Sequence, residues 1–592
     1  MLLLRGRSFR SQSPIQRPLT QRTIARLHRG LTRTSVTLAF LGLGGWTAFE
    51  TSDSFQHFVH AVRRCSIIGE AVICDVIDYK HTLQADFATE EEKLNAQSRC
   101  HKRSAERILE ALKINGGHGI VQGQHISSVN LLPIEWTSTM KPLQDQCFPT
   151  PYEDVAALFK EETGQELEEV FSWFSREPIG VASLAQVHTA IDRNTGRKVA
   201  VKIQHPRLEE WVHIDMAATT VALAWVKRVF PEFEFSWLGE EVRTNLPLEL
   251  NFLQEADNTS RVKANFADVK HTSLYIPEVL SATKRTLVME FISGARVDDL
   301  DYLARHKIDR NQVSQELSRI FSTMVYLHGF FHADPHAGNL LIRPKPVRSR
   351  SPYNFEIALL DHGLYFDVDD ELRINYAKLW LSLITPGGKE DRRKYAQLVA
   401  NIGPDLYPIF ESSITGRPGL EGTWEDAPEG VSARPRSMLE LSTQSEEELE
   451  RMRGAVLERE GLLVSVFSML RVVPRAVLML FKMNDLLRNL DAELKTTHDS
   501  TRVFLIVARY CSSAVWRDDC RGFFTRWRDL GASISLFTGL VRRWFAYHLI
   551  YDGLRIIEWE MDFVARVVRW KHWFRGLRGG LPSANAAAAG LG

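Results

Sequence analysis

Cysteine is scarce and unpatterned. The six, Cys65, Cys74, Cys100, Cys147, Cys511 and Cys520, are scattered over 592 residues with no CxxC pair and no histidines beside them at metal-ligand spacing. This argues against a disulfide framework or a structural zinc site. Net charge is lacking too: 73 basic residues meet 73 acidic ones, so the chain carries no global nucleic-acid footprint. Charged residues at 25% and apolar ones at 44% are ordinary globular values, and no internal repeat is visible. One absence is local. Residues 1–34 contain no acid at all, but they hold Arg5, Arg7, Arg10, Arg17, Arg22, Arg26, Arg29 and Arg33.

An acid-free, arginine-rich segment with Ser, Thr and Gln has the composition of a mitochondrial presequence. The run SVTLAFLGLGGWTAF follows at 35–49 without a charge; its 15 residues include Gly42, Gly44 and Gly45. A comfortable crossing takes roughly 17 to 25 residues, so the expected transmembrane segment is a short one. If it crosses, the arginines on its amino side against Glu50 and Asp53 on the other keep the amino end in the matrix. The bulk of the chain then faces the intermembrane space of the inner membrane. A matrix protein whose apolar segment packs on itself, or a secretory signal with a long basic region, are the alternatives.

Apolar periodicity over 55–114 predicts two or three helices, within a helical amino-terminal extension at 55–150. A helix with an acidic face is expected over 151–174. Strands are expected over 178–203, with a charged turn at DRNTGRK, and two more over 274–291. Helical pattern returns over 217–228, 240–266 and 298–330. The Pro-containing 344–353 and the Gly, Pro, Ser and Glu-rich 415–445 are expected to be flexible loops. Residues 462–490 read as helix broken at Pro474. The last hundred residues hold Trp516, Trp527, Trp544, Trp559, Trp570 and Trp573 interleaved with arginines. That alternation suits a helix at a membrane interface, or equally a helical cap packing its tryptophans on the domain beneath.

Four features fall in the order that phosphoryl transfer needs. VAVK at 199–202 is an apolar strand ending in a lysine able to hold phosphates. Glu255, in the helical LELNFLQEADN, can pair with Lys202. In HAD at 332–334, Asp334 precedes Asn339 by five residues, as in a kinase catalytic loop HRDxxxxN, where the carboxylate faces the acceptor and the amide holds magnesium. IALLDHG puts Asp361 before a glycine, 22 residues after Asn339, as a DFG-type metal acid stands. Two kinase parts are missing. No GxGxxG precedes VAVK; PIGVASLAQVH takes its place, with Gly180, Ala182 and Ser183 small enough to let backbone amides approach a nucleotide. No APE element follows Asp361, which leaves no evident docking groove for protein substrates. His332 and His336 have a proline between them, so no helix face presents both to a metal, and positioning the loop is the expected role.

On these motifs the chain resembles the UbiB/AarF atypical kinase-like proteins over about 55–491. PIGVASLAQVH resembles the family's alanine-rich loop, HADPHAGN its HxDPHxGN loop and DHG a variant of its DFG. The last two, with RVVPRAVLMLFKMNDLLRNLD at 471–491, resemble the mitochondrial AarF-domain branch. The resemblance implies an α+β, bilobal protein-kinase-like fold with helical amino- and carboxyl-terminal regions: an N-lobe at 151–292, a C-lobe at 293–500 and a helical end at 501–592. It implies ATP and Mg2+ as cofactors, ATPase or small-molecule kinase activity, and a role in coenzyme Q or mitochondrial lipid homeostasis. Inner-membrane lipids and a lipid or quinone-type small molecule are then the partners. Carried over by position, Lys202 and Asp334 are catalytic, and Asn339 and Asp361 hold the metal. Gly180, Ala182, Ser183, Glu255, Glu290, Gln124 and Glu249 join Lys202 in the cofactor site. Two family signatures depart. KxGQ reads VQGQ, with Val121 for the lysine, and ExD reads ELN, with Asn251 for the aspartate. A catalytically silent, nucleotide-gated lipid-binding or scaffolding protein is the alternative function.

Overall fold

The structure is a computed structural model. It describes residues 53–115, 134–140, 149–384, 389–415, 469, 471–496 and 501–579, without 183, 207, 532 and, within 232–246, all but 239, 243 and 244. The presequence, the 35–49 segment, Val121, Gln124, Ser183 and most of the 415–445 insertion therefore lie outside the described residues. Among those described, no helix is long and apolar enough to cross a membrane. The chain divides into two units, Met1–Ser66 and Ile67–Gly592.

Two long helices stand at the amino end, α1 (Asp53–Gln84) and α2 (Glu90–Asn115), followed by the short α3 (Ile134–Met140). In the larger unit, arginines of α2 reach carboxylates of α1: Arg107 binds Asp75 at 2.9 Å and Asp78 at 2.8 Å, and Arg103 binds Asp78 at 2.7 Å. Burial pushes Asp75 up to about 6, whereas the hydrogen bond from Arg103 holds the more open Asp78 at about 2. Met140 and Trp136 of α3 pack on Leu112 and Ile108 of α2.

The expected helix over 151–174 is shorter. It runs as α4 (Tyr152–Thr163) and stops where Gly164 takes a φ of 74°, a left-handed cap that a glycine adopts freely. A single turn, α5 (Leu167–Val170), then leads into β1 (Phe171–Phe174), because the aromatic FSWF pairs with a strand better than it continues a helix.

An antiparallel sheet follows. It comprises β2 (Gly180–Val181), β3 (Ala185–Asp192), β4 (Lys198–Gln204), β6 (Val279–Ala282) and β7 (Thr286–Glu290) with β1, in the order β1-β3-β4-β7-β6, with β2 on β3. At the β3–β4 turn, Asp192 accepts from the Thr195 backbone N–H at 2.8 Å, and Gly196 takes a φ of 66°. The strict alternation of β4 sorts its faces. Val199, Val201 and Ile203 pack under Val155, Leu158 and Phe159 of α4. On the other face, Ala200 packs beside Phe252 of α7 (Phe252–Asn265), and Lys202 shares that face. Helix α6 (Leu208–Val229) lies between β4 and α7 in sequence.

Residues 274–291 form three strands where two were expected. The short β5 (Leu274–Tyr275) joins a second sheet with β11 (Phe355–Leu359), β10 (Leu340–Pro344) and β8 (Ala295–Arg296). Beneath it lies the larger apolar core, built from α8 (Leu300–Arg305), α9 (Arg310–Ser322), a π turn at Thr323–His328 and α10 (Asp370–Ile384), followed by α11 (Lys389–Ala400) and α12 (Tyr407–Thr415). The 344–353 loop is held at both ends, not loose. Lys345 donates to the Ser351 carbonyl at 2.6 Å, and Arg350 donates to the Phe266 and Ala267 carbonyls at 3.0 Å, covering the carboxyl end of α7.

Helix α13 (Arg475–Glu493) starts after Pro474, where the sequence break was expected. The carboxyl end is α14 (Thr501–Leu530) and α15 (Ile534–Gly579). Phe504 of α14 lies 5.6 Å from Trp380, and the buried Glu558 of α15 is bound by Arg319 at 2.9 Å and by Arg509. Apolar residues and this carboxylate make the cap. Of the tryptophans described, Trp527, Trp544 and Trp559 are exposed, whereas the half-buried Trp516 of α14 stacks on Tyr547 of α15 at 5.4 Å.

Candidate active site

Strand β4, helix α7 and the residues just after β11 converge on one ammonium group. Lys202 Nζ donates to both Glu255 oxygens at 2.9 and 2.8 Å and to Asp361 Oδ2 at 2.8 Å. Glu255 reaches it because Asn251 caps α7, accepting the Leu253 N–H at 3.2 Å, and Phe252 seats the first turn on the sheet. The Asn251 departure thus performs a capping task that an aspartate would perform equally well. Burial works against the Lys202 charge, but Asp361 and Glu255 hold it above its ordinary value. Burial likewise opposes ionisation of Asp361, and Lys202 with the Gly363 N–H keeps that carboxyl well below the carboxylate range.

A second set of contacts fixes the loops. The backbone N–H groups of His362 and Gly363 donate to Glu255 Oε1 at 3.3 Å and Asp361 Oδ1 at 2.9 Å. Asn258 donates to the His362 carbonyl at 2.9 Å. The His362 ring bridges Tyr365 Oη at 2.9 Å and the Leu359 carbonyl at 3.2 Å. A carbonyl only accepts, so Nε2 carries the proton and Nδ1 accepts from the tyrosine.

The catalytic-loop candidate runs from β9 (Phe330–His332), which pairs with β12 (Tyr365–Asp367), to a 3-10 turn at Ala337–Asn339. His332 is fully buried: its Nδ1 accepts the Asp334 N–H at 3.0 Å, so its Nε2 donates to the Asp361 carbonyl at 3.1 Å. One neutral imidazole therefore ties the two acidic loops together. His336 folds over Gly338, accepting its N–H at 3.1 Å; a Cβ at Gly338 would meet that ring at 2.8 Å and push it aside. Both histidines position the loop, as their spacing implies. Asn339 Nδ2 donates to the Asp334 carbonyl at 3.3 Å, so its Oδ1 is the atom with which it could hold a cation.

Asp334 has a partner that the sequence reading did not assign. Lys482 of α13 places Nζ 3.1 Å from Asp334 Oδ1, while His336 lies 3.9 Å from the other oxygen. Burial would raise the Asp334 carboxyl, but Lys482, then His336 and His332, draw it down to about 2. A lone lysine inside LMLFKM, on a helix that buries Met479, Leu480, Phe481 and Met483, was the available signal.

Other expected residues fall differently. Ala182 gives its N–H to the Ala185 carbonyl at 2.8 Å, and its own carbonyl accepts from His205 at 2.9 Å, so that amide is committed within the turn. Gly180 pairs with Val187 in the hairpin. Glu290 opposes Val199 while Lys202 opposes Leu287, three positions along, which puts the Glu290 side chain on the other face of the sheet. Its carboxylate accepts from Tyr275 Oη at 2.7 Å and the Glu278 N–H at 3.4 Å, so it braces β5 and β6 and does not face Lys202. Glu249 lies two residues before the α7 cap, half-buried.

The residues fit a magnesium-nucleotide site. Asp361 and Asn339 offer oxygen donors alone, and magnesium is commonly held by one or two such groups, with phosphate oxygens and waters as the rest. Lys202 stands between two carboxylates, so the cluster carries an excess negative charge that a divalent cation offsets. Residues 142–397 match the model of the ABC1 atypical kinase-like domain. A protein named ABC1 family protein MCP2 homolog, from Schizosaccharomyces pombe, is 39% identical over 497 residues, covering 83% of this chain and 86% of that one.

The chain belongs to the ABC1 atypical kinase-like family.

AarF domain-containing protein kinase 1 of Mus musculus is 36% identical, covering 78% of this chain and 84% of that one. Among solved structures, the Rv3197–erythromycin complex from Mycobacterium tuberculosis is similar at a TM-score of 0.39 and 19% identity, covering 68% of this chain and 95% of that one. The expected α+β kinase-like fold, with helical regions at both ends, is the fold of this ABC1 chain.

Proposed function

We propose that the chain is a magnesium-dependent ATPase or small-molecule kinase acting on a lipid or quinone-type substrate in mitochondrial coenzyme Q or lipid homeostasis. The observation that carries the nucleotide part is the Lys202–Glu255–Asp361 cluster, joined through His332 to the Asp334–Asn339 loop. Lys202 binds phosphate oxygens, Asp361 and Asn339 hold magnesium, and Asp334 orients the acceptor hydroxyl. The metal, when bound, neutralises charge on the phosphates. The mitochondrial part draws on the acid-free 1–34 segment. A lipid-facing role is supported by the exposed Trp527, Phe537, Trp544, Phe545 and Trp559 on α14 and α15.

The test is ATP turnover by the full chain reconstituted with liposomes, with and without quinone, for wild type and Asp361→Asn. Magnesium-dependent phosphate release or transfer that Asp361→Asn loses is the expected result. If neither protein turns over while both still bind lipid, the silent scaffolding reading takes its place.

A further inference from the structure

The catalytic loop carries no lysine or arginine of its own between Phe330 and Ile342. A phosphoryl group in transfer spreads its charge over its equatorial oxygens, and cations placed around it do much of the catalysis. Lys202 is committed to Glu255 and Asp361, on the side that holds the metal acids. On the acceptor side, beside Asp334, the cation is Lys482. Its Nζ lies 3.1 Å from Asp334 Oδ1, with the lysine side chain 13% exposed and the aspartate 35% exposed.

Helix α13 delivers that lysine by construction. Met479, Leu480, Phe481 and Met483 are buried around it, Asn484 donates to Tyr376 Oη at 3.2 Å, and Arg488 donates to the Ile414 carbonyl at 3.0 Å. A lysine on a packed helix face carries a desolvation cost, and a single ion pair to a part-exposed carboxylate gives little stability in return. Its placement is better explained by a ligand between the lobes. Lysine suits such a role, as a compact point charge on a flexible stem that can pivot from carboxylate to phosphate.

We propose that Lys482 binds the γ-phosphate of the nucleotide and stabilises the phosphoryl group during transfer, supplying from α13 the cation that the catalytic loop lacks. This rests on the nucleotide reading above. In the transfer, the acceptor oxygen bonds to the γ-phosphorus as the bond from that phosphorus to the β–γ bridging oxygen breaks. The electron pair leaves on the diphosphate, the acceptor proton passes by way of Asp334 to solvent, and Lys482 stays bonded to an oxygen of the moving group.

The experiment compares affinities of the full chain for magnesium with ADP and with a non-hydrolysable ATP analogue, for wild type, Lys482→Met and Lys482→Arg. Loss of a charged hydrogen bond to the γ-phosphate weakens analogue binding by about 10- to 100-fold in Lys482→Met, with ADP binding changed less than about 2-fold. Lys482→Arg retains most of the analogue affinity. Retained ADP binding reports that a variant is folded; where Lys482→Met is not, Lys482→Gln takes its place in the comparison. An unchanged preference for the analogue over ADP overturns the proposal, as does faster ATP turnover in Lys482→Met, which would make Lys482 a block on Asp334. If wild type binds neither nucleotide, the nucleotide reading itself falls.

Discussion

Lys202 and Glu255 form a two-pronged ion pair, at 2.9 and 2.8 Å, between a strand of one sheet and a helix packed across it. Glu255 is 2% exposed, so removing the lysine alone strands a carboxylate in the interior. Lys202→Met is expected to lose about 3 to 5 kcal/mol of stability, and Lys202→Met with Glu255→Gln to regain most of it. Denaturant unfolding of both variants checks this. A double variant no more stable than the single one contradicts the pairing.

Acid should weaken the fold through its buried histidines. Burial pushes His332 down to about 4 and His362 to about 3, from an ordinary value near 6.5. Between those values the unfolded chain binds protons that the native state refuses. Stability is therefore full above about pH 6.5 and falls as pH drops through about 4 for His332 and about 3 for His362, by up to about 3 and about 5 kcal/mol respectively. Thermal melts between pH 7 and pH 4.5 should show the fall, and His362→Phe should flatten it. An unaltered slope in that variant would remove His362 from the account.

The Asn251 cap makes a milder prediction. Asn251→Asp should be close to neutral, because either side chain can accept the Leu253 N–H, whereas Asn251→Ala should cost about 1 kcal/mol. Equal losses in the two variants, measured by thermal unfolding, would show that the amide has a role beyond the cap.

Much of the site was legible because its chemistry is local in sequence. VAVK places Lys202 by strand alternation, HADPHAGN sets Asp334 and Asn339 on one loop, and DHG brings Asp361 in just after a strand. What escaped depends on tertiary packing. Lys482 comes from a helix 148 residues beyond Asp334 in the chain, and no spacing rule links the two. Glu290, expected in the cofactor site, has its side chain on the other face of β7 from Leu287, the partner of Lys202, and only the register reveals that. Ala182 looked open because its side chain is small, yet its amide closes a turn. The 151–174 stretch read as one helix because the αL stop at Gly164 and the pairing of FSWF with β3 are properties of the fold.

At the carboxyl end, the buried Glu558 receives the half-buried Arg319 and Arg509. Glu558→Ala would leave Arg509 without its anion and Arg319 with only Glu316, 3.6 Å away, at a cost of about 3 kcal/mol. Limited proteolysis should then release α15 well before the lobes unfold. Simultaneous loss of both would mean that α15 is integral to the core.

The central claim, that Lys202, Asp334, Asn339 and Asp361 form a magnesium-nucleotide site, is tested most directly by calorimetric titration of ATP into the full-length protein, with and without magnesium. Wild type should bind in a magnesium-dependent manner, and Asp361→Asn should lose at least about tenfold in affinity, the worth of one charged ligand. Binding that is equally tight without magnesium, or unaffected by Asp361→Asn, would contradict the account.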